Sequence, residues 1–146
     1  MDIFSVDGDG LEDDGTLYSL SSEFLEAAIT LSNTFPTKTN YSMVIYYLLG
    51  HAAELMLKAY LYKKGRSIGE LKGVGHNLEA LLEFSKSTGQ QLPFKTNCIE
   101  ALALNYKTKK LEYRAKTRLQ LPNREDLINE CRQLQSAVFE NIFELY

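Results

Sequence analysis

The sequence predicts an all-α fold, built as an antiparallel bundle of four or five helices. Two observations support this class. Apolar residues recur at three- and four-residue intervals along most of the 146-residue chain, and no segment shows the strict alternation of a half-buried strand. The chain is long enough for one domain with a substantial core. Helices joined by short connections must bury their apolar stripes against one another, and a bundle achieves this most simply.

The chain begins with an acidic arm, predicted over residues 1–15. Residues 1–35 contain eight acidic side chains and no basic one, whereas residues 36–146 contain 16 basic and 11 acidic ones. A segment so rich in aspartate and glycine buries too little apolar surface to order itself alone. Its Asp-Gly-Asp-Gly motif does not continue as a calcium loop, because Leu11 and Tyr18 stand where ligands are required. A single helical domain is predicted over residues 16–146.

Two helices are predicted before residue 65. The first ends before Pro36, since proline does not continue a helix. The second begins at Tyr41 and ends at Gly65, and seven of its residues share one seam. The apolar stripe of the first helix is Leu17, Leu20, Phe24, Ala28, Leu31 and Phe35. The seam of the second is Tyr41, Ile45, Leu48, Ala52, Leu55, Ala59 and Tyr62.

Three further helices are predicted in the second half of the chain. The third runs from about Asn77 to Ser87 and the fourth from about Phe94 to Glu112. The last has the clearest start, because Asn123 is a favourable N-cap and two acidic residues follow where the helix dipole favours them. The inward positions are Leu78, Leu81, Leu82 and Ser85 in the third helix, Ile99, Leu102 and Tyr106 in the fourth, and Leu127, Cys131, Leu134, Val138, Ile142 and Leu145 in the last.

Tyr47, His51, Glu54 and Lys58 form a polar line on the second helix, spaced by four, three and four residues. The simpler interpretation is a solvated stripe, in which a Glu-to-Lys pair at four residues contributes about 0.2–0.5 kcal/mol. The alternative is a groove between helices, in which His51 titrates near neutral pH and Glu54 orients its ring. Burial of His51 would favour the groove.

His76 lies between Gly75 and Asn77, directly before the third predicted helix. We expect it to help cap that helix or to pin its loop to the second helix. Two histidines without a companion carboxylate or a cysteine cluster make a poor ligand set. No metal and no other cofactor is therefore expected.

The basic segment, residues 107–118, has the highest density of positive charge. It contains Lys107, Lys109, Lys110, Arg114, Lys116 and Arg118, with Tyr113 among them. Basic side chains neutralise phosphates and a tyrosine ring offers a stacking surface, so this segment is a candidate site for single-stranded RNA or a nucleotide. The alternative is a solvated helix end, where cations are favourable in any case. The polar line and the basic segment together supply the candidate ligand-binding residues.

Other sequence features narrow the class of protein. No apolar run is long enough to cross a membrane and residues 1–11 lack a secretory pattern, so a cytoplasmic location is expected. Cys98 and Cys131 lack metal-ligand spacing, and reduced, buried thiols are expected. The sequence contains no phosphate-binding loop, dinucleotide fingerprint or nucleophile elbow, which disfavours most enzyme classes.

Three segments together resemble a known family. LLGHAAELMLKAYLYKKG is followed by GHNLEALLEFS, and EYRAKTRLQLP precedes the capped last helix. Over residues 17–145 the chain is similar to the HEPN domain, most sharply at Glu54, Lys58, Gly65 and at His76 with Leu78. The resemblance implies a small helical bundle, a homodimer, and a toxin–antitoxin, anti-phage or RNA-processing setting. Many such domains are metal-independent endoribonucleases, and others bind nucleotides, RNA or protein partners.

The ribonuclease motif of that family is an arginine followed, after four to six residues, by a histidine. No histidine stands at those distances after Arg114, Arg118 or Arg124. We therefore expect a catalytically degenerate HEPN-like domain that binds RNA, a nucleotide or a partner protein. One alternative is a metal-independent endoribonuclease with a site formed across a dimer from Arg114 or Arg118 and His51 or His76. Another is a protein-interaction module that regulates a nucleotidyltransferase or nuclease partner.

Overall fold

The computed structural model describes residues 13–34, 42–87, 92, 94–108, 111 and 119–143, and these residues contain helices and no strand. The predicted all-α class is thereby confirmed. The helices of the described residues are α1 (Asp14–Ser32), α2 (Ser42–Lys63), α3 (Ile68–Val74), α4 (Leu78–Ser87), α5 (Asn97–Lys107) and α6 (Arg124–Phe143). None of them combines the length and the apolar character that crossing a membrane requires.

α2 is the central helix of the bundle. It packs against α1, α3, α4, α5 and α6, and all its residues from 52 to 61 are buried. A helix that is covered on every side needs apolar residues around its whole circumference. Within this stretch only Glu54 and Lys58 are charged, and both are buried. The core of the protein therefore surrounds a pair of opposite charges.

Side-chain contacts establish the directions of α1 and α2. Phe24 of α1 meets His51 of α2, and Leu17, earlier in α1, lines one cavity with Leu55, later in α2. The two helices are therefore antiparallel, as predicted for neighbours joined by a short connection.

α6 packs on α1 in the same antiparallel sense. Ser22 accepts a hydrogen bond from Gln135 at 3.0 Å, and Tyr18, earlier in α1, contacts the ring of Phe139, later in α6. Because both α2 and α6 oppose α1, they run parallel to each other.

Local capping explains where several helices begin and end. The Asp13 side chain accepts a hydrogen bond from the Thr16 backbone N–H at 2.7 Å, and the Thr16 hydroxyl accepts one from the Asp13 N–H at 2.8 Å. This reciprocal capping box starts α1. Asn123 caps α6, as predicted, by accepting a hydrogen bond from the Asp126 N–H at 3.1 Å. After α2, Gly65 adopts a φ of +104°, which glycine tolerates without steric cost.

A residue of another helix sets the start of α5. Thr96 provides no side-chain cap, and instead Glu130 of α6 accepts hydrogen bonds from the backbone N–H groups of Cys98 at 2.8 Å and Ile99 at 3.2 Å. Burial, together with hydrogen bonding to Glu130 and its charge, raises the pKa of the Cys98 thiol to about 12. Cys98 and Cys131 are both free thiols. Cys131 is fully buried as predicted, whereas Cys98 is only half-buried.

The structure corrects three sequence-based expectations about helices. α3 was not predicted; it is seven residues long and is capped by Ser67, whose hydroxyl accepts from the Glu70 N–H. The fourth predicted helix begins at Asn97, after Phe94. Leu20 is 41% exposed, because the buried face of α1 follows Leu17, Ser21, Leu25 and Ala28. Phe35, Tyr41, Glu112 and Leu145 and the side chain of Ile142 lie outside the described residues.

Candidate functional site

Five side chains form a hydrogen-bonded group around one buried carboxylate. This polar cluster consists of His51, Glu54, Lys58, His76 and Tyr106. Oε1 of Glu54 lies 2.6 Å from Nδ1 of His76 and 2.7 Å from the Tyr106 hydroxyl, and Oε2 lies 2.9 Å from Nζ of Lys58. Nδ1 of His51 lies 2.8 Å from the same Tyr106 hydroxyl. The cluster links three separate parts of the chain.

Three parts of the fold supply the members of the polar cluster. His51, Glu54 and Lys58 share one face of α2, because residues three and four apart are neighbours on a helix. His76 follows Gly75 in the turn between α3 and α4, and the φ of +62° at Gly75 lets the chain reverse towards α2. Tyr106 comes from the buried face of α5.

Gly50 allows Tyr106 to reach the polar cluster. A Cβ atom at position 50 would lie 2.5 Å from Cδ1 of the Tyr106 ring, well inside van der Waals contact. The ring therefore lies directly on the backbone of α2, and its hydroxyl arrives beside Glu54. A glycine within a helix is destabilising in isolation, and here close packing gives it a structural purpose.

The hydrogen-bond pattern assigns the proton positions on both imidazoles. An ionised Glu54 can only accept hydrogen bonds, so the Tyr106 hydroxyl and Nδ1 of His76 must both donate to it. Once its hydroxyl proton points to Glu54, Tyr106 can only accept from His51, and Nδ1 of His51 must also carry a proton. In neutral histidines the proton-accepting atom is then Nε2 on both rings.

Glu54 stays ionised at neutral pH although it is only 3% exposed. Burial pushes the pKa of Glu54 upward, but the hydrogen bonds from His76, Lys58 and Tyr106 and the charge of Lys58 together bring that pKa below its ordinary value. A buried carboxylate normally requires such compensation, because an unpaired buried charge is very costly. Glu54 is therefore a buried anion held by three donors.

These contacts decide between the two interpretations of the polar line. The solvated stripe is wrong, since Glu54 and Lys58 are buried and their 2.9 Å ion pair lies inside the bundle. His51 is half-buried, stacked on Tyr47 with ring centroids 5.9 Å apart and touched at its edge by Phe24 at 4.5 Å. The polar line is therefore buried within the bundle at Glu54 and Lys58, and His51 is oriented through Tyr106 and not directly by Glu54.

His76 pins its loop to α2, as predicted, but it does not cap the helix that follows. It pins the α3–α4 turn to α2 through Glu54, while Asn77 caps α4 by accepting from the Ala80 N–H at 3.1 Å. A companion carboxylate is nevertheless present, because the side chain of Glu54 lies near both histidines and accepts a hydrogen bond from His76. His51, Glu54 and His76 each offer a ligand atom within 4.8 Å of the others. The expected lack of a carboxylate beside the two histidines is therefore wrong.

Of the basic segment, the structure describes only Lys107, Thr108 and Leu111. Lys107 is exposed at the end of α5, whereas Lys109, Lys110, Tyr113, Arg114, Lys116 and Arg118 lie outside the described residues. On the C-terminal side of the segment, the backbone oxygen of Gln120 accepts a hydrogen bond from the Asn105 side chain at 3.0 Å. Asn105 and Lys107 directly flank Tyr106 in sequence. Gln120, two residues after the basic segment, is therefore held against α5, the helix that carries Tyr106.

Sequence reasoning missed two residues of this site. Tyr106 was placed correctly on the inward face of α5, but its hydroxyl partners are 52 and 55 residues away in sequence. Gly50 had no partner in any local pattern, since its role depends on the approach of Tyr106. The available signal was a tyrosine among aliphatic inward positions, because a buried tyrosine hydroxyl needs a hydrogen-bond partner.

Compared with models of known families, with curated proteins and with solved structures, the chain shows no significant match. The resemblance to the HEPN domain therefore stays a prediction based on the residues quoted above.

Proposed function

We propose that this chain is a HEPN-like helical domain that binds single-stranded RNA or a nucleotide where the polar cluster meets the basic segment. The observation that supports this proposal is that α5 carries Tyr106 of the polar cluster and Lys107 of the basic segment, and that Gln120, two residues after the segment, is hydrogen-bonded to Asn105 of the same helix. Lysines and arginines neutralise phosphates, and the sequence supplies five of them between Lys107 and Gln120. In this proposal the imidazoles of His51 and His76 add hydrogen-bonding groups for the ligand.

Side chains on and beside the polar cluster match the chemistry of an RNA or nucleotide ligand. A half-exposed His76, with 40% of its side chain accessible, can contact a ligand from solvent. Tyr47 and His51 provide stacked rings, and stacking on aromatic groups is how sequence-tolerant RNA-binding surfaces hold bases. Within the polar cluster, the Tyr106 hydroxyl orients the His51 ring.

RNA affinity of histidine variants tests the proposal. A labelled single-stranded RNA should bind the double variant His51→Ala/His76→Ala about tenfold more weakly than wild type, since hydrogen bonds are worth about 0.5–1.5 kcal/mol each. Fluorescence anisotropy measures the affinity, and circular dichroism confirms that the variant is helical. Glu70→Gln, which alters an exposed carboxylate on α3, is the matched control and should bind normally. Equal affinity of the double variant and wild type would contradict the proposal.

A second candidate is metal-independent endoribonuclease activity, and one specific observation favours it. The two imidazoles lie with their centroids 6.2 Å apart and are each oriented by a hydrogen bond at Nδ1. A pair of oriented histidines can act as general base and general acid. Cleavage of RNA in the presence of EDTA, abolished by His51→Ala and by His76→Ala, would support catalysis. RNA that is bound but stays intact would support the degenerate domain.

The homodimer and the partner protein implied by the resemblance also remain proposals. Exposed apolar side chains on three helices, Leu20, Val44 and Leu104, are available for such contacts. Sedimentation equilibrium checks the dimer, for which we expect twice the chain mass of 16.6 kDa.

A further inference from the structure

We propose that His51, Glu54 and His76 form a binding site for a divalent transition-metal ion of the zinc class. The proposal does not depend on RNA binding. It starts from the spacing of the three groups, each of which presents a ligand atom within 4.8 Å of the other two. No other residues among those that the structure describes bring histidine, cysteine and carboxylate groups together in this way.

The donor atoms select the class of ion. Two imidazole nitrogens and one carboxylate oxygen are a ligand set that suits Zn²⁺, whereas Mg²⁺ and Ca²⁺ prefer oxygen ligands alone. Three protein ligands leave one position of a tetrahedral ion open for water or another ligand. Because 40% of the His76 side chain is exposed, an ion can reach the site from solvent.

The distances between the ligand atoms must change slightly before they fit a tetrahedral ion. Ligand bonds of about 2.0–2.2 Å place neighbouring ligand atoms on a tetrahedral ion about 3.3–3.5 Å apart. Nδ1 of His76 and Oε1 of Glu54 are 2.6 Å apart and must separate slightly, whereas the widest pair must draw together. His76 is the ligand that can move, because it lies in the turn between α3 and α4 and not within a helix.

Lys58 determines which oxygen of Glu54 faces the ion. Its Nζ holds Oε2 at 2.9 Å, and Oε1 is the oxygen on the side of His76. An ion bound through Nδ1 of His76 takes the place of the proton that this nitrogen now donates to Glu54, and the neutral ring then carries its proton on Nε2. The nearby positive charge of Lys58 opposes the ion. We therefore expect an exchangeable ion and not one required for folding.

The two cysteines lie elsewhere and are poor competitors. Cys131 is fully buried against the backbone of Leu49, with Sγ 3.9 Å from the carbonyl oxygen. Cys98 lies at the start of α5 beside Glu130. The chain contains only two histidines, so any signal from a histidine–metal bond comes from His51 or His76.

Metal titration of the full chain, prepared without a histidine tag and stripped of metal, tests the proposal. Zn²⁺ should bind at one ion per chain and should shift the imidazole nitrogen resonances of both histidines. Co²⁺ should give visible d–d absorption without the charge-transfer bands of a thiolate ligand. His51→Ala and His76→Ala should each weaken Zn²⁺ binding at least about tenfold, the scale at which even outer partners of a metal site matter.

Two control variants show whether a loss of Zn²⁺ affinity is specific to the proposed site. Cys98→Ser and Glu70→Gln remove a thiol and a carboxylate outside the site and should keep wild-type affinity. If His51→Ala or His76→Ala fails to fold, the imidazole resonances of wild type decide the question. The proposal is overturned if excess Zn²⁺ leaves either imidazole unshifted, if Co²⁺ shows thiolate bands, or if a folded histidine variant binds as tightly as wild type.

Discussion

Glu54 connects residue-level chemistry with the architecture of the site. Its carboxylate is buried and accepts hydrogen bonds from three side chains that belong to three parts of the chain. Removing one partner of a buried ion pair is strongly destabilising, because the other charge is left without compensation. Lys58, which is 9% exposed, is the charge that would be left.

Substitution of Glu54 measures how much the buried ion pair contributes to stability. Glu54→Gln should lower the free energy of unfolding by about 3–5 kcal/mol, the usual cost of breaking a buried pair. Chemical denaturation at neutral pH measures the difference. Glu70→Gln is the control, because Glu70 pairs with Arg66 at an exposed position 3.3 Å away and should cost at most about 1 kcal/mol. Similar losses for the two variants would contradict the buried ion pair.

The same carboxylate predicts how stability depends on pH. The pKa of Glu54 is lowered in the folded protein, so the folded state holds a proton there less readily than the unfolded chain. The stabilisation is therefore fully present above the ordinary pKa of 4.5 and is lost as pH falls through the lowered pKa. The difference in unfolding free energy between wild type and Glu54→Gln should shrink between about pH 7 and about pH 3. A constant difference would contradict this explanation.

Packing around Gly50 predicts that Gly50→Ala lowers stability, whereas helix propensity alone predicts that it raises stability. Gly50→Ala gains up to about 1 kcal/mol of propensity, but its Cβ would lie 2.5 Å from the Tyr106 ring. Such overpacking costs about 1–3 kcal/mol, so the variant should be less stable than wild type. Gly73→Ala is the control, because a Cβ at position 73 meets nothing within 4 Å in α3. Stabilisation by both alanines, measured by thermal unfolding, would show that Tyr106 does not lie on Gly50.

At the scale of helices, the parts that the sequence predicted well are those specified by local signals. Asn123, Gly65 and the inward positions of α4 were identified correctly, because capping and helical periodicity act within a few residues. α3 was missed because its seven residues are too few for a periodic pattern and include two glycines. The start of α5 was misplaced because its cap, Glu130, comes from α6.

The burial of the polar line could not be predicted from α2 alone. Its residues favour a solvated face over a groove when α2 is considered by itself, since the pattern of one helix does not say which helices cover it. Tyr106 and His76 complete the polar cluster from distant positions, and only the packed bundle brings them to Glu54. His76 and the members of the site on α2 were therefore identifiable from the sequence, whereas the hydrogen bonds that connect them were not.

The contact between α5 and α6 predicts an unreactive thiol. With a pKa of about 12, Cys98 is almost entirely protonated at mildly alkaline pH. Alkylation by iodoacetamide should be at least about 100-fold slower than for a free cysteine, whose pKa is about 8.5. Glu130→Gln removes one source of the raised pKa and should accelerate the reaction, as measured by mass spectrometry on the native protein. Rapid labelling of wild-type Cys98 would contradict the assigned contact.

At the scale of the whole molecule, charge is distributed unevenly. The acidic residues before residue 36 carry no basic partner in that segment, whereas the remainder of the chain has an excess of basic residues. The overall charge of −3 therefore hides a cationic portion that includes the basic segment. Net charge alone would argue against a nucleic-acid ligand, but local charge density governs contacts with phosphates.

The salt dependence of RNA binding measures most directly whether the basic segment neutralises phosphates. Three proteins are titrated with one labelled single-stranded RNA over a range of salt concentrations. They are wild type, the basic-segment variant Lys107→Ala/Lys109→Ala/Lys110→Ala, and a control in which alanine replaces the exposed lysines Lys63, Lys86 and Lys95. The logarithm of the wild-type affinity should fall linearly with the logarithm of salt concentration, at about 0.7 per phosphate neutralised. The slope should become shallower by about 2 in the basic-segment variant and should not change in the control. Identical slopes in all three proteins, or no RNA binding at low salt, would contradict the account.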